Sequence, residues 1–246
     1  RGKILAGVFF ACVISVLLAP HVTIIWMSFL DHALWYTELI PRAYTLRHYS
    51  RLFSDPTAFE PIRNSLWMSG AAALGTILAG VPLAYLVGRR RPGGRWMNLL
   101  AMVPWALPGT VIACNLLISF NDPWMPYQLA VWLLPMAYFV RNIPLFTRMA
   151  VASVETFDTG LLEAARTLGA GPMRCMMRIA APLMAPSLLA ASAMVFAASL
   201  GEFVASILLY RPSNLPMAVR INMELRGSGL GTAFAYSVLL MLLSGA

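Results

Sequence analysis

The chain has 246 residues, of which 59% are hydrophobic and only 11% are charged, and its mean hydropathy is +0.72. A soluble domain is closer to a quarter charged, so this composition excludes an ordinary soluble protein and predicts a polytopic membrane protein. At roughly 20 apolar residues per span, the length fits about six membrane helices. We therefore expect an all-α fold, a single transmembrane helix bundle that covers residues 1–246.

Positive charge is spread along the chain rather than concentrated in one tract. The net charge is +8, and Lys3 is the only lysine among the 18 basic residues. Because the arginines lie in loops between apolar runs, they predict membrane topology rather than nucleic-acid binding. Cys12, Cys114 and Cys175 form no CxxC pair, and the three histidines show no ligand spacing, so no metal site is predicted.

Six apolar runs are predicted to span the membrane. They cover residues 4–30, 64–87, 96–120, 124–147, 183–210 and 230–246. The third run contains Pro104 and Pro108-Gly109, so we expect it to be kinked or partly unwound. A polar, aromatic loop is predicted for residues 31–61, and a Pro- and Gly-containing loop for residues 211–229.

Charge asymmetry predicts the orientation. With a cytoplasmic N-terminus, the cytoplasmic segments hold ten basic and three acidic residues, and the outer loops hold seven and six. The tight turn of residues 89–95 weighs most, because short loops dominate the positive-inside rule. The N-terminus and the polar segment of residues 152–182 are therefore both expected in the cytoplasm. Since the chain begins at Arg1 and stops inside an apolar run at Ala246, we expect trimmed ends or a longer parent polypeptide.

The polar segment of residues 152–182 lies between two apolar runs. Asp158 or Thr159 can cap a short helix, and Gly169 and Gly171-Pro172 can end it. One apolar face of this helix is predicted from the spacing of Leu161, Leu162, Ala165 and Leu168. A second amphipathic stretch follows over residues 173–180. The pattern fits either a groove on another protein or a helix that lies on the lipid surface, and both remain open at this point.

A longer spacing pattern runs through the same segment. The matching residues are Glu163-Ala164-Ala165, then Gly169 after three residues, Ile179 after nine more, and Ala181-Pro182 after one more. This spacing resembles the EAA loop of permease subunits of binding-protein-dependent ABC importers. The chain departs from that family's pattern at Ala181, where Leu is preferred. The residues Asn64-Ser65-Leu66 and the run of residues 104–109 are also similar to this family.

The resemblance implies a transport subunit rather than an enzyme. In this family the loop forms coupling helices that dock on a cytoplasmic ATPase, so Glu163 is expected at the ATPase surface and Gly169 at the bend. The implied coupling residues are Glu163, Ala164, Ala165, Gly169, Ile179 and Pro182. ATP and Mg are expected on the partner ATPase and no cofactor on this chain. A P-loop also requires a lysine that meets the phosphates, and Lys3 cannot supply that motif.

Further partners follow from the same resemblance. They are a second permease copy or homologous half, an extracytoplasmic solute-binding protein and the lipid bilayer of a bacterial inner membrane. The Ser199–Phe203 stretch, residues 108–111 and residues 212–220 look most like permeases for ferric iron and, less specifically, for thiamine, phosphonate, sulfate or molybdate, and polyamines. A secondary transporter and an intramembrane enzyme are the alternatives. The enzyme is disfavoured because no Gly-x-Ser-x-Gly occurs and His21 is the only histidine inside a predicted span.

Glu202 is the most informative ionisable residue inside a predicted span. A charge there is costly and usually faces a cavity or a partner. Together with Gly201, Asn115 and Pro108, it is predicted to line or gate a transport path. The alternative for Glu202 is a structural ion pair or hydrogen bond.

Two stripes of small residues predict close helix packing. One comprises Ala193, Ala197, Gly201 and Ala205, and the other comprises Ala72, Thr76 and Gly80. Arg141 and Arg148 are expected at the cytoplasmic surface, where long basic side chains reach the headgroups.

Overall fold

The computed structural model describes residues 2–31, 43–120, 131–227 and 229–245, which form helices joined by short turns. Within these ranges, the only β-type pairing is an isolated antiparallel bridge between Leu30 and Tyr44. The predicted all-α class is confirmed. The helices are α1 (Gly2–Ser28), α2 (Arg47–Ser54), α3 (Pro56–Gly88), α4 (Gly94–Ala106), α5 (Gly109–Phe120), α6 (Leu133–Thr156), α7 (Gly160–Thr167), α8 (Pro172–Cys175), α9 (Ala181–Leu200), α10 (Val204–Leu209), α11 (Met217–Arg226) and α12 (Leu230–Ser244).

The chain divides into two compact units. The first unit comprises Arg1–Asn64 and Leu215–Ala246, and the second comprises Ser65–Asn214. Since α3 starts at Pro56 and ends at Gly88, its first turns belong to the first unit and the rest to the second.

In the first unit, α12 packs against α1, α2 and α11. The Tyr236 hydroxyl donates a hydrogen bond to the Ala58 carbonyl. Gly231 lies so close to His48 that a Cβ at Gly231 would stand 2.2 Å from the His48 Cε1 atom, so the contact requires glycine. The His48 ring is in turn within 2.9 Å of the Leu30 carbonyl oxygen, and this joins α2 to the end of α1.

In the second unit, α3, α6 and α9 share an apolar core. Its buried members are Ala73 and Ala84 from α3, Phe146, Ala150 and Val154 from α6, and Ala191 and Val195 from α9. Gly80 allows α3 and α6 to approach closely, since a Cβ there would clash with the Phe146 ring. Ala72 and Thr76 are also buried, so close packing of the Ala72, Thr76 and Gly80 stripe is confirmed.

The second predicted stripe is wrong. α9 ends at Leu200, and the backbone breaks at residues 201–203 before α10 begins. Ala193 and Gly201 are exposed, whereas Ala191 and Val195 form the buried face of α9. The physical reason is that Ala205 lies on a separate helix, so the four small residues never share one face.

Helix bounds differ from the predicted spans at both ends of several runs. α3 begins eight residues before residue 64, and α6 continues nine residues past residue 147. The predicted loop of residues 211–229 contains α11. Hydropathy locates apolar runs, but the hydrogen bonds of a helix continue through polar residues on an exposed face. Parts of the predicted loop (32–42) and of the fourth span (124–130) lie outside the described residues.

Three helices in the described ranges are long and apolar enough to cross a membrane, and a fourth counts if α4 and α5 form one bent span. The axes of α4 and α5 differ by 104°, so the predicted kink in the third span is confirmed. α12 is apolar but has 15 residues. The total of about six spans stays a prediction.

Candidate functional site

The polar segment after α6 folds into a helix–turn–helix, called the hairpin below, that comprises residues 158–180. At its start, the Asp158 carboxylate accepts a hydrogen bond from the Gly160 N–H at 2.8 Å. α7 ends in a Schellman motif, in which the Gly169 N–H donates to the Arg166 carbonyl and the Ala170 N–H donates to the Ala165 carbonyl. Gly169 has a φ of +82°, which favours glycine, so the reversal between the two helices depends on this residue.

The second half of the hairpin continues directly into α9. α8 is followed by a π-helical turn at Met176–Ala180, and the helix then runs on without a break from Pro172 to Leu200. A single 29-residue rod therefore connects the hairpin with the break at residues 201–203.

Several apolar side chains of the hairpin are exposed. Leu168 is 88% exposed, Met173 72% and Met177 67%. Of the four residues predicted to form one apolar face, Leu162 and Ala165 are half-buried, and Leu161 and Leu168 are exposed. Leu168 follows the last helical residue, so helical spacing does not fix the direction of its side chain. Exposed apolar side chains on a polar segment are typical of a surface that binds a partner.

The residues of the EAA-like pattern are distributed over both arms of the hairpin and the start of α9. Glu163, Ala164 and Pro182 are exposed, while Ala165 and Ile179 are half-buried. Glu163 is thus exposed on α7, and it also borders the cavity described next.

A cavity of about 380 Å³ lies behind the hairpin, between it and the neighbouring ends of α3, α6 and α9. Its lining includes Arg89 and Arg91 after α3, and Glu163 and Arg166 from α7. The Arg89 guanidinium lies 5.7 Å from the centre of the Phe157 ring, a cation–π contact on the cavity wall.

A second polar site lies at the opposite end of α9. Arg141 Nε is 2.6 Å from Glu202 Oε2, and the side chains are 36% and 9% exposed. The other Glu202 oxygen accepts the Ala205 N–H at 3.1 Å, at the start of α10. The expectation that Arg141 lies at the cytoplasmic end of the fourth span is wrong. Because α6 begins at Leu133 and ends at Thr156, Arg141 lies in its third turn and faces Glu202.

Two interruptions of helical backbone meet at Arg141. One is the break at residues 201–203, and the other is the turn between α4 and α5. A Cβ at Gly109 would lie 3.2 Å from Arg141 Nη1 and 3.4 Å from Val204 Cγ1, so the first residue of α5 touches both. The guanidinium therefore lies beside both interruptions, although the Arg141 side chain is partly exposed.

Hydrogen bonds extend this site along one face of α6. The Tyr138 hydroxyl lies 2.6 Å from Ser206 Oγ, and Ser206 donates to the Glu202 carbonyl. The Asn142 amide donates to Ser199 Oγ at 3.1 Å. Tyr138, Arg141 and Asn142 thus hold α6 against both sides of the break, and we call this group, with Glu202, Ser199 and Ser206, the polar cluster.

The predicted path residues are only partly brought together. Gly201 lies in the break beside Glu202, and Pro108 in the turn before Gly109, and both are exposed. Asn115 is exposed further along α5, and the hydrogen bonds of the polar cluster do not include it. Glu202 forms the ion pair that was considered for it, and its role in the path stays a prediction. In the described ranges, no group of three His, Cys, Asp or Glu side chains could hold a metal ion.

Sequence reasoning did not identify Tyr138, Arg141 and Asn142 as one group. Their spacing of three and four residues places them on one helix face, and Glu202 is an opposite charge in another apolar run. The opposite charges of Arg141 and Glu202, each in an apolar run, are the sequence feature that could have indicated this contact.

The family model described as "Binding-protein-dependent transport system inner membrane component" matches residues 76–245. The probable ABC transporter permease protein y4fN of Sinorhizobium fredii is 29% identical over 84% of this chain and 37% of that protein. The ferric transport system permease protein FbpB of Actinobacillus pleuropneumoniae is 27% identical over 80% of this chain and 29% of that protein. This chain therefore spans about a third of the length of these two relatives.

A further relative is matched along most of its length. The putative 2-aminoethylphosphonate transport system permease protein PhnV of Salmonella paratyphi A is 25% identical over 89% of this chain and 83% of that protein. Among solved structures, a bacterial ABC transporter involved in the import of alginate matches 98% of this chain and 91% of its own, with a TM-score of 0.72 and 18% identity. At that identity, the structural match supports the fold alone.

Proposed function

This chain belongs to the family of binding-protein-dependent transport system inner membrane components, and on that basis we propose that it is a permease subunit of an ATP-driven ABC importer. In this role it forms part of the path for a cargo that a solute-binding protein delivers. A second permease copy or homologous half completes the path. A separate cytoplasmic ATPase binds ATP and Mg and drives the cycle.

The observation that carries this proposal is the hairpin. Glu163 is exposed on α7, and Leu168 and Met173 are exposed on either side of the Gly169 turn. Exposed apolar side chains beside polar residues are typical of a protein docking site. In the proposed function, Glu163 and Gly169 therefore belong to the contact with the ATPase.

A mechanical route connects this docking site with the polar cluster. The continuous helix from Pro172 to Leu200 has 29 residues, which corresponds to about 44 Å at 1.5 Å per residue. Movement of the hairpin by the ATPase is transmitted along this rod to the break at residues 201–203. There Glu202, Gly201 and Pro108, with Asn115 further along α5, are the proposed path or gate residues. The driving force is the difference in ATPase contacts between two states of the permease.

Ferric iron is the cargo that we propose. Support comes from the similarity to FbpB, a ferric transport permease, and from the resemblance of the Ser199–Phe203 stretch. The similarity to PhnV makes a phosphonate the second candidate. Binding of Fe³⁺ and of 2-aminoethylphosphonate to the solute-binding protein that operates with this chain separates the two. Binding of a sugar or an amino acid instead would contradict both.

Co-purification tests the coupling role. Glu163→Arg reverses an exposed charge on α7 and is expected to reduce recovery of the ATPase subunit with the membrane-embedded chain by at least tenfold. Glu155→Arg is the matched control, because Glu155 is also exposed and lies near the hairpin at the end of α6. Equal recovery with both variants would contradict the assignment of the hairpin as the ATPase contact.

A further inference from the structure

The cavity behind the hairpin lies where two apolar helices end. α3 ends at Gly88 beside it, and the helix that starts at Pro172 borders it from the other side. Both helices are long and apolar enough to cross a membrane. With both helices spanning the membrane, the cavity would lie near the level of the lipid headgroups.

Three arginines line this cavity, namely Arg89, Arg91 and Arg166. In the described part of the chain none of them lies within 4.0 Å of a carboxylate, since the four ion pairs there involve other arginines. Glu163 is the single acidic residue of the lining. Three cations against one anion leave the cavity with a net charge of about +2, and this favours an anionic occupant.

The remaining wall is mostly apolar. It is formed by Tyr85, Val154, Phe157, Leu162, Met176 and Met184, among others. Methionine side chains adapt to irregular hydrocarbon surfaces. The face of the Phe157 ring is in contact with the Arg89 guanidinium. An occupant that satisfies both parts of the wall carries an anionic group and a hydrocarbon chain.

We propose that this cavity is a binding site for an anionic phospholipid of the adjacent leaflet. The phosphate of the headgroup accepts hydrogen bonds from the guanidinium groups of Arg89, Arg91 and Arg166, a geometry for which arginine is well suited. The proximal parts of the acyl chains lie against Tyr85 and Met184. The volume of about 380 Å³ falls in the usual range of ligand pockets, roughly 300–1,000 Å³. Basic pockets between membrane helices are known to take such headgroups.

A bound lipid would connect the hairpin to the membrane. Arg166 belongs to α7, whereas Arg89 and Arg91 follow α3, so one phosphate held by all three joins the hairpin to the helix bundle. The proposal requires only that the chain spans a membrane and does not depend on the ATPase or the cargo.

Native mass spectrometry of the purified chain in neutral detergent tests this directly, with phosphatidylglycerol, phosphatidylcholine and inorganic phosphate as probes. We expect one phosphatidylglycerol to bind saturably, with at least tenfold preference over phosphatidylcholine, and inorganic phosphate not to displace it at equal concentration. If phosphatidylcholine binds equally well, or if inorganic phosphate displaces the lipid, the proposal is wrong. Displacement by phosphate would identify a small-anion site instead.

Variants locate the site. Arg91→Gln combined with Arg166→Gln removes two of the three cations, and the affinity for phosphatidylglycerol should fall roughly 30-fold, at about one kilocalorie per mole for each arginine. The matched control is Arg90→Gln combined with Arg174→Gln. Arg90 and Arg174 are exposed, lie in the same turn and the same hairpin, and are not part of the cavity lining.

If the control variant loses as much affinity as the cavity variant, the lipid binds through diffuse surface charge, and the proposed site is wrong. Arg91→Lys with Arg166→Lys keeps both charges, and we expect an intermediate affinity and unchanged folding. These measurements use the permease chain alone. A failure of lipid binding is therefore distinguishable from a failure of ATPase co-purification.

Discussion

At the scale of single residues, the most consequential contact is the ion pair between Arg141 and Glu202. Glu202 is 9% exposed, so its carboxylate has lost most of its hydration and depends on the guanidinium and on the Ala205 N–H. Burial of a charge pair adds little net stability, but removal of one partner leaves a buried charge without compensation. The pair therefore specifies how α6 meets the break more than it stabilises the fold.

Arg141→Gln should lower the free energy of unfolding by about 2–3 kcal/mol, somewhat below the loss for a fully buried pair because Arg141 is partly exposed. Combining it with Glu202→Gln should recover part of this loss, because the orphaned charge is removed. Thermal unfolding in detergent measures both. Arg63→Gln is the control, since its pair with Glu60 at 3.6 Å is exposed and should contribute less than about 1 kcal/mol. Similar losses for Arg63→Gln and Arg141→Gln would contradict this account.

Gly80 illustrates how a missing side chain determines packing. Gly80→Ala places a methyl group against the Phe146 ring, and we expect a loss of about 1–3 kcal/mol from overpacking. Gly70→Ala is the control in the same helix, because a Cβ at Gly70 meets nothing within 4 Å. It should be neutral or slightly stabilising. The midpoints of thermal unfolding of the two variants measure this difference. Phe146→Leu should partly restore the stability of Gly80→Ala, because it removes the ring that the new methyl group meets.

At the scale of elements, the start of α3 depends on Asp55. Its carboxylate accepts hydrogen bonds from the Thr57 N–H at 2.9 Å and the Thr57 hydroxyl at 2.7 Å. These hydrogen bonds, with a smaller contribution from Arg51, hold the pKa of Asp55 below its usual value of 3.8. Asp55 thus acts as an N-cap for a helix whose first residue is proline, a position that proline tolerates well.

A pH dependence follows from this lowered pKa. Because the folded state binds the proton of Asp55 less readily than the unfolded state, the stabilising contribution is present above the unfolded pKa. It is lost as the pH falls through the lower, folded value. The difference in stability between the native chain and Asp55→Ala should therefore shrink as the pH falls from about 5 to below 3.8. Thermal unfolding across this range measures it.

Thr57→Val is the companion variant for the pH experiment. It removes the hydroxyl donor but keeps the shape of the side chain, so the pKa of Asp55 should move back toward its usual value. A difference between Asp55→Ala and the native chain that does not change with pH would contradict the assigned role.

At the scale of the whole molecule, orientation in the membrane remains a prediction from the charge asymmetry. The hairpin is expected in the cytoplasm and the segment before α11 on the outer side. Both segments carry exposed small polar residues, Thr167 in α7 and Ser213 before α11, at which single cysteines can report accessibility.

Labelling with a membrane-impermeant maleimide tests the orientation, in a background that lacks Cys12, Cys114 and Cys175. Thr167→Cys should react only in inside-out vesicles, and Ser213→Cys only in right-side-out vesicles. Labelling of both from the same side would contradict the predicted topology. A reversal of the two patterns would place the hairpin outside, where it could not meet a cytoplasmic ATPase.

The sequence by itself determined the membrane class, the hairpin and its turn. Those features follow from local properties, because apolar runs predict membrane helices and Gly169 is the residue that a left-handed turn requires. Only the tertiary structure decided which distant side chains contact each other. Arg141 could not be assigned to Glu202, 61 residues away, and the buried Ala191 and Val195 of α9 could not be separated from the exposed Ala193. The same holds for the arginine-lined cavity, since its walls come from helices that are distant in sequence. Long-range contacts depend on where helices begin, bend and end, and hydropathy does not encode those positions.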